Sequence, residues 1–362
     1  MRILLCVGTR PEAIKMLPLA LELRASEAFE VLICHSGQHG KMADEVFEFF
    51  KIEPDFCFSA MRDGQSLTEL TARLLNYFDV LFKSEKIDLV LVHGDTTTAF
   101  CASLVAFYNG IRVGHVEAGL RTFNNHSPFP EEFNRVSIDA MADYLFAPTI
   151  LSARNLEKEG RKPVFTVGNT VIDSFKYTLK DTYNSELLEM AQGRKIILLT
   201  SHRRENLGER MRSSFLGVKD VIVKREDLFC IFPMHPNPCV RREANEVFDN
   251  VKNIKICDPL PIFDFHNLLS RSLAVMTDSG GIQEESAYLG VPVFVLRDHT
   301  ERCEGVESGN VLLVGTQRER AASQILDVLD DDSRLSSMSK PSLVFGDGHA
   351  SERIASVLMG CE

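Results

Sequence analysis

Four groups of polar residues break the apolar pattern of this sequence, and their side chains are those of proton transfer and anion binding. Asp95, Glu117 and Glu131 are carboxylates, the first two just past short apolar runs and the third directly after Pro130. Paired carboxylates in a water-poor site have their proton affinities pushed apart, which gives one acid and one base. Taken singly, Glu131 also reads as an ordinary first-turn helix residue. His202-Arg203-Arg204-Glu205-Asn206 gathers three cationic or potentially cationic side chains in one place. Bidentate arginines and a protonated histidine suit charge that grows as a bond to phosphate breaks. Asp278-Ser279-Gly280-Gly281 opens a helix, and its glycine pair lets an anion approach backbone N–H groups, a feature a simple cap does not need. Gly8-Thr9-Arg10-Pro11-Glu12 also joins a strand to a helix, with Arg10 and Lys15 as candidate phosphate clamps. It lacks the GxGxxG spacing of a dinucleotide site, so no nicotinamide cofactor is expected. His35 and His39 lie four apart at a strand end and no HExxH occurs, so no metal site is expected.

Such residues need elements to carry them. Short β-branched runs alternate with amphipathic stretches, the pattern of βαβ units and parallel sheets. Strands are predicted at Arg2 to Val7, Glu30 to Cys34, Leu89 to His93, Arg112 to Val116, Tyr144 to Ala147 and Val164 to Val167, and again at Lys195 to Thr200, Leu228 to Met234, Ile254 to Cys257, Leu273 to Thr277 and Val291 to Leu296. Helices are predicted at Glu12 to Leu23, Ser66 to Phe82, Thr97 to Tyr108, Glu131 to Ala142, Arg210 to Lys224, Pro261 to Leu269, Ile282 to Leu289 and Arg318 to Leu329. The alternation starts afresh after Val167. This places one Rossmann-like domain at 1–168, rejoined by a final helix in 342–362, and a second at 169–341, with Gly168-Asn169-Thr170 as a hinge. In open parallel sheets ligands bind at the carboxyl ends of the strands, and the four polar groups fall at such ends except for Glu131, which stands at a predicted helix start.

Composition narrows the partners. A chain of 362 residues, 44% hydrophobic and 25% charged, is long enough for two folded domains. A net charge of −11 without basic runs argues against nucleic acid and anionic membranes, yet leaves room for a small anion held by local Arg, Lys and helix N-termini. Nine cysteines, scattered and without a CxxC pair, read as reduced thiols. The opening segment is too short for a signal-peptide core and no stretch has the length of a membrane span, so a cytoplasmic protein is expected.

The ordered set of motifs resembles one family. Gly8-Thr9-Arg10-Pro11-Glu12 with Lys15, Gly37-Gln38-His39, His93-Gly94-Asp95-Thr96, Glu117-Ala118-Gly119-Leu120-Arg121, Pro128-Phe129-Pro130-Glu131-Glu132, Asn134-Arg135, Gly168-Asn169-Thr170, His202-Arg203-Arg204-Glu205-Asn206, Asp278-Ser279-Gly280-Gly281 with Gln283-Glu284-Glu285, and Thr300-Glu301-Arg302 run across nearly the whole chain. Together they resemble the bacterial-type non-hydrolysing UDP-N-acetylglucosamine 2-epimerases. The resemblance implies an α/β fold of two Rossmann-like domains with a cleft between them, as in GT-B glycosyltransferases, and a C-terminal helix returning to the first domain. It implies a homodimer that reversibly converts UDP-GlcNAc to UDP-ManNAc by eliminating UDP to 2-acetamidoglucal and adding it back, with no cofactor.

By motif, the resemblance makes Asp95, Glu117 and Glu131 the acid/base group and His202 the residue supporting UDP departure. Arg10, Lys15, Ser279, Gly280, Gly281 and Arg302 match phosphate-side positions, Glu285 the ribose carboxylate and Phe265 the uracil-side aromatic. Gln38, Glu131, Arg203 or Arg204, and His235 fit an activating second UDP-GlcNAc. Lys41 and Gly64 depart from activator-regulated members, which carry Gln and Arg there, and Cys303 replaces the usual Pro of the Thr-Glu-Arg-Pro-Glu motif. The competing readings are a glycosyltransferase of the same two-domain shape, a hydrolysing relative that releases free ManNAc, and a nucleotide-sugar-binding regulator without catalysis.

Overall fold

Apolar runs in the predicted strands are nearly continuous, which requires parallel sheets covered on both faces. The computed structural model describes residues 1–38, 40–62, 64–203 and 206–360 and has this architecture. The elements are β1 (Arg2–Val7), α1 (Arg10–Arg24), β2 (Glu30–His35), α2 (Lys41–Phe50), β3 (Phe56–Cys57), α3 (Leu67–Ser84), β4 (Leu89–His93), α4 (Thr97–Tyr108), β5 (Arg112–Val116), α5 (Glu131–Met141), β6 (Tyr144–Ala147), α6 (Ile150–Lys158), β7 (Val164–Thr166), α7 (Thr170–Asp173) and α8 (Phe175–Thr178). There follow α9 (Glu186–Ala191), β8 (Lys195–Thr200), α10 (Glu209–Lys224), β9 (Leu228–Pro233), α11 (Pro238–Phe248), β10 (Ile254–Cys257), α12 (Ile262–Leu269), β11 (Ala274–Thr277), α13 (Gly280–Leu289), β12 (Val293–Val295), α14 (Cys303–Glu307), β13 (Val311–Leu313), α15 (Arg318–Leu329), α16 (Asp332–Met338) and α17 (Ala350–Met359).

Two compact units result, Met1–Tyr177 with Gly346–Glu362, and Thr178–Phe345. In the first, seven parallel strands run in the order β3-β2-β1-β4-β5-β6-β7. The order reverses between β1 and β4, so the turns after these two strands border the crevice where open α/β sheets bind ligands. The register sets His93 opposite Val116, so Asp95 and Glu117 follow neighbouring strand ends. One core, with Leu5, Met16 and Phe146, covers one face of the sheet; the other, with Phe78, Val90 and Val105, covers the opposite face. The second unit has six parallel strands in the order β10-β9-β8-β11-β12-β13, reversing between β8 and β11, around a core that includes Phe215, Phe232 and Phe294.

The first unit runs nine residues further than the division expected at 168. Asn169 and Thr170, read as a hinge, are instead buried in it. Asp173 on α7 accepts from the backbone N–H groups of Ala350 (3.2 Å) and Ser351 (2.7 Å) at the start of α17. Ile354, Ala355 and Leu358 of that final helix join the core around α1. α7 and α17 therefore hold one another in the first unit, and the return crossing falls at Gly346 rather than 342. Among the described residues no helix is long and apolar enough to cross a membrane.

Candidate active site

Glu117 is the residue on which the first cluster turns. It follows β5 at φ +70°, a left-handed conformation that costs a side-chain-bearing residue roughly 1–2 kcal/mol. The N–H groups of Glu117 and Ala118 both donate to the Phe146 carbonyl, each at 3.1 Å, which holds the bend. The bend carries the carboxylate back into the first unit, where it is 8% exposed. Its Oε2 forms a buried ion pair with the Lys15 ammonium and accepts from Asn169 Nδ2 at 2.8 Å, and His93 Nε2 lies 3.6 Å away. Burial pushes His93 down to about 3, against the pull of the Glu117 charge, so the ring beside this carboxylate is neutral at ordinary pH. Glu117 Oε1 faces Gly94, where a Cβ would stand 3.5 Å from it.

The turn carrying Asp95 is held by three residues from β5 and α5. His115 on β5 bonds the Gly94 carbonyl through Nε2 at 2.7 Å, and Asn134 on α5 donates to the Asp95 carbonyl at 2.9 Å. Arg135 on α5 pairs with the Asp95 carboxylate at 2.5 Å. Glu131 opens α5 one turn before Arg135, on the same helix face. Beneath them, His115 Nδ1 meets Asp139 at 2.6 Å, and Asp139 pairs with Arg121 at 2.7 Å, all three side chains being buried. Although burial alone would raise it, His115 and Arg121 hold the Asp139 carboxyl below the usual range. Asp139 also accepts from Gly119 N at 3.3 Å, so a single charged strut fixes the turns on either side of Glu117.

The second cluster is organised by Asp278, which is fully buried. It accepts from Ser201 Oγ (2.7 Å), His202 N (3.0 Å) and Arg203 N (3.1 Å), and so ties the turn after β8 to the turn after β11. The His202 ring stacks on His235 with centroids 5.6 Å apart, and His235 Nδ1 accepts from Asn237 N at 3.1 Å. Ser279 is the N-cap of α13 but makes no side-chain cap bond. A Cβ at Gly280 would stand 2.7 Å from Arg302 Cζ, so the glycine is what lets the guanidinium lie against the helix start. At Gly281 the nearest atom to a Cβ is Glu285 Oε1 at 4.0 Å. Arg302 is held by Glu284 (2.9 Å) and Glu301 (2.6 Å), and Glu301 also pairs with Arg203 (3.2 Å) and Arg297 (3.0 Å). Against its burial, these three arginines keep Glu301 well below the usual carboxylate range. Phe265 on α12 and Ile282 on α13 both pack against the second unit's core around Leu268 and Val275.

The structure thus groups Lys15, Asp95, Glu117 and Glu131 in the first unit, and His202, Arg203, His235, Ser279, Gly280, Gly281, Glu285 and Arg302 in the second. Lys15, expected on a phosphate, is paired with Glu117. Arg10 opens α1 in the first unit. Gln38 Oε1 accepts from the Thr98 hydroxyl at 2.8 Å. Arg204, with His39 and Glu205 of the motifs, lies outside the described residues, as does the Lys41 side chain. Sequence reasoning missed His93, the His115–Asp139–Arg121 strut, and the tying roles of Asp278 and Glu301, all of which sit inside or beside the motifs but act through contacts far along the chain.

A family model described as UDP-N-acetylglucosamine 2-epimerase matches residues 21–359. The UDP-N-acetylglucosamine 2-epimerase of Bacillus subtilis is 46% identical over 361 residues, spanning 99% of this chain and 95% of that protein. The structure of the UDP-GlcNAc 2-epimerase from Neisseria meningitidis bound to UDP-GlcNAc superposes with a TM-score of 0.94 at 38% identity, covering 99% of this chain and all of that one. The Methanocaldococcus jannaschii enzyme in complex with UDP-GlcNAc and UDP gives 0.86 at 34% identity, with 99% and 100% covered.

Proposed function

The chain belongs to the UDP-N-acetylglucosamine 2-epimerase family, and from that premise we propose that it interconverts UDP-GlcNAc and UDP-ManNAc without net hydrolysis. The observation that carries this reading is that each unit bears its own strand-end cluster and that the two differ in chemistry. Proton-handling carboxylates stand at one sheet's switch point, and cations with a glycine-opened helix start stand at the other's.

The C2 hydrogen of the sugar has no neighbouring carbonyl to stabilise a carbanion, so its removal has to be coupled to loss of a leaving group. A carboxylate takes the proton from C2, the C–H electrons form the C1–C2 double bond, and the C1–O bond breaks with its electrons on UDP. The intermediate is 2-acetamidoglucal. Delivery of a proton to the opposite face of C2, with UDP oxygen rejoining C1, completes the inversion. Two faces of one carbon need proton carriers on both sides, which is the role given to Asp95, Glu117 and Glu131. Neutral His93 and Lys15 stand beside the Glu117 carboxylate.

The UDP half is assigned to the second unit. Ser279, Gly280 and Gly281 offer backbone N–H groups at the start of α13, and Arg302 adds a guanidinium already fixed by two carboxylates. His202 meets the charge that develops on the departing diphosphate. Glu285 takes the ribose hydroxyls and Phe265 the uracil face, and Arg10 is assigned to the phosphates by its motif. Gln38, Glu131, Arg203 and His235 would serve a second, activating UDP-GlcNAc, and the working assembly is a homodimer in the cytoplasm.

Proton NMR of the product mixture tests the reaction class. UDP-ManNAc should appear with no acceptor present. Free ManNAc with stoichiometric UDP would instead assign a hydrolysing enzyme, and no change without an acceptor sugar would favour a glycosyltransferase.

A further inference from the structure

Glu12 lies at the third position of α1, three residues after Thr9, and is 1% exposed. Its carboxylate serves two strand-end turns at once. Oε2 accepts from the N–H groups of Gly8 (3.1 Å) and Thr9 (2.7 Å) and from the Thr9 hydroxyl (2.7 Å). Oε1 accepts from the Thr96 hydroxyl, 2.8 Å away on the turn after β4. A helix-capping carboxylate needs only the first set of partners.

Thr96 is in turn the N-cap of α4, its Oγ1 accepting from Ala99 N at 3.0 Å. The hydroxyl's single proton goes to Glu12 and a lone pair goes to the helix. Asp95 is thereby flanked by Gly94, whose carbonyl is held by His115, and by Thr96, whose side chain is held by Glu12. Glu12 is the strut that joins the turns after β1 and β4, the two strands that border the first sheet's switch point.

This arrangement is costly to the fold. Burial pushes Glu12 up to about 7, in spite of bonds from Thr9, Thr96 and Gly8 that favour the charged form. The titratable neighbour on β1 is Cys6, whose thiol is raised by burial first and then by Cys34 and Glu12. The next cation on α1, Lys15, is paired with Glu117. An uncharged side chain of the same shape would relieve the fold of this burden, so the charge calls for another explanation.

Resting on the reading of Asp95 as one of the proton carriers, we infer that Glu12 is a positioning residue for proton transfer at C2, its ionised form holding the Asp95 turn in place through Thr96. A protonated Glu12, or a glutamine with its oxygen kept toward Gly8 and Thr9, presents a donor to Thr96. The threonine proton then has to turn elsewhere, and the charge-assisted strut to the Asp95 turn is replaced by a reversed, uncharged bond to the second lone pair of Thr96.

The test is Glu12→Gln, assayed for C2 proton exchange and for thermal stability against pH. Because the folded-state pKa is raised, Glu12 favours folding at low pH and that contribution is lost as pH climbs through about 7. The melting temperature of E12Q relative to the unaltered protein should therefore rise between about pH 5 and pH 8. At about pH 8, where Glu12 is ionised, its kcat should be lower by about 10-fold or more, with KM for UDP-GlcNAc within about twofold, and the gap should close toward about pH 5 as Glu12 of the unaltered protein takes up a proton. A more stable but slower enzyme separates positioning from mere structural support. Should E12Q not fold, Thr96→Val and Thr96→Ser decide: the valine variant should lose kcat similarly and the serine variant should recover most of it. Folded E12Q or T96V turning over as fast as the unaltered protein would overturn the inference alone. No C2 exchange in the unaltered protein would overturn the reading of Asp95 and this inference with it.

Discussion

Replacing Glu117 by glutamine is expected to slow C2 proton exchange by about 10³-fold while leaving UDP affinity within about threefold. Glutamine keeps the shape and an oxygen that can still accept from Asn169 and Lys15, so the turn after β5 keeps its form. What it loses is the capacity to carry a proton. The neutral His93 ring, with Nε2 3.6 Å from Glu117 and burial holding it near 3, is a poor substitute, because it has little affinity for a proton at the working pH. Exchange measured by NMR and UDP binding measured by calorimetry separate the two effects. An E117Q protein that exchanges C2 hydrogen at the normal rate would remove Glu117 from the proton-transfer group.

Gly281→Ala is expected to weaken UDP binding by about 10-fold or more without lowering the melting temperature. The nearest protein atom to the new methyl would be Glu285 Oε1 at 4.0 Å, so nothing in the fold has to move, and alanine is the better helix former. The methyl would occupy the space through which a diphosphate approaches the N–H groups at the start of α13. Gly280→Ala is the contrasting variant, since its methyl would stand 2.7 Å from Arg302 Cζ and must displace the guanidinium. Calorimetric titration of UDP into G281A checks the assignment. Unchanged affinity would place the diphosphate elsewhere.

Much of this arrangement was legible in the sequence, and the reasons are local. The strands Arg2–Val7, Leu89–His93, Arg112–Val116 and Lys195–Thr200 agree with the apolar runs residue for residue, because a strand buried on both faces leaves an unbroken signature. The helices Thr97–Tyr108 and Arg318–Leu329 agree equally well with their periodicity. Several short elements were not anticipated, although the edge strands β7 and β10 were. β13 is three residues long, and α6 has polar residues where a regular stripe would be apolar, its start marked only by Thr149 accepting from Ser152 N. For α11 a signal was present and unused, namely Asn237 before Pro238, a cap followed by a first-turn proline.

At the site, the motifs located the turns but not what holds them. Asp95 and Glu117 could be placed at neighbouring strand ends because consecutive strands usually pair. That Lys15 pairs with Glu117 depends on the αL bend at Glu117, which nothing in the local residue types announces. Asp139 reaches His115 across 24 residues, and Asp278 reaches Ser201 across 77. Such contacts follow from topology, not spacing. Glu12 is the intermediate case: Thr9 with Glu12 three residues later is the spacing of a capping box, but the bond from Thr96 spans 84 residues.

The central claim is that C2 is inverted by elimination and readdition, with protein carboxylates carrying the proton. Incubating the unaltered protein with UDP-GlcNAc in deuterium oxide tests it most directly. The account predicts UDP-GlcNAc and UDP-ManNAc both carrying deuterium at C2, with a trace of 2-acetamidoglucal and UDP released on long incubation. Epimerised product that retains its original C2 hydrogen would contradict it.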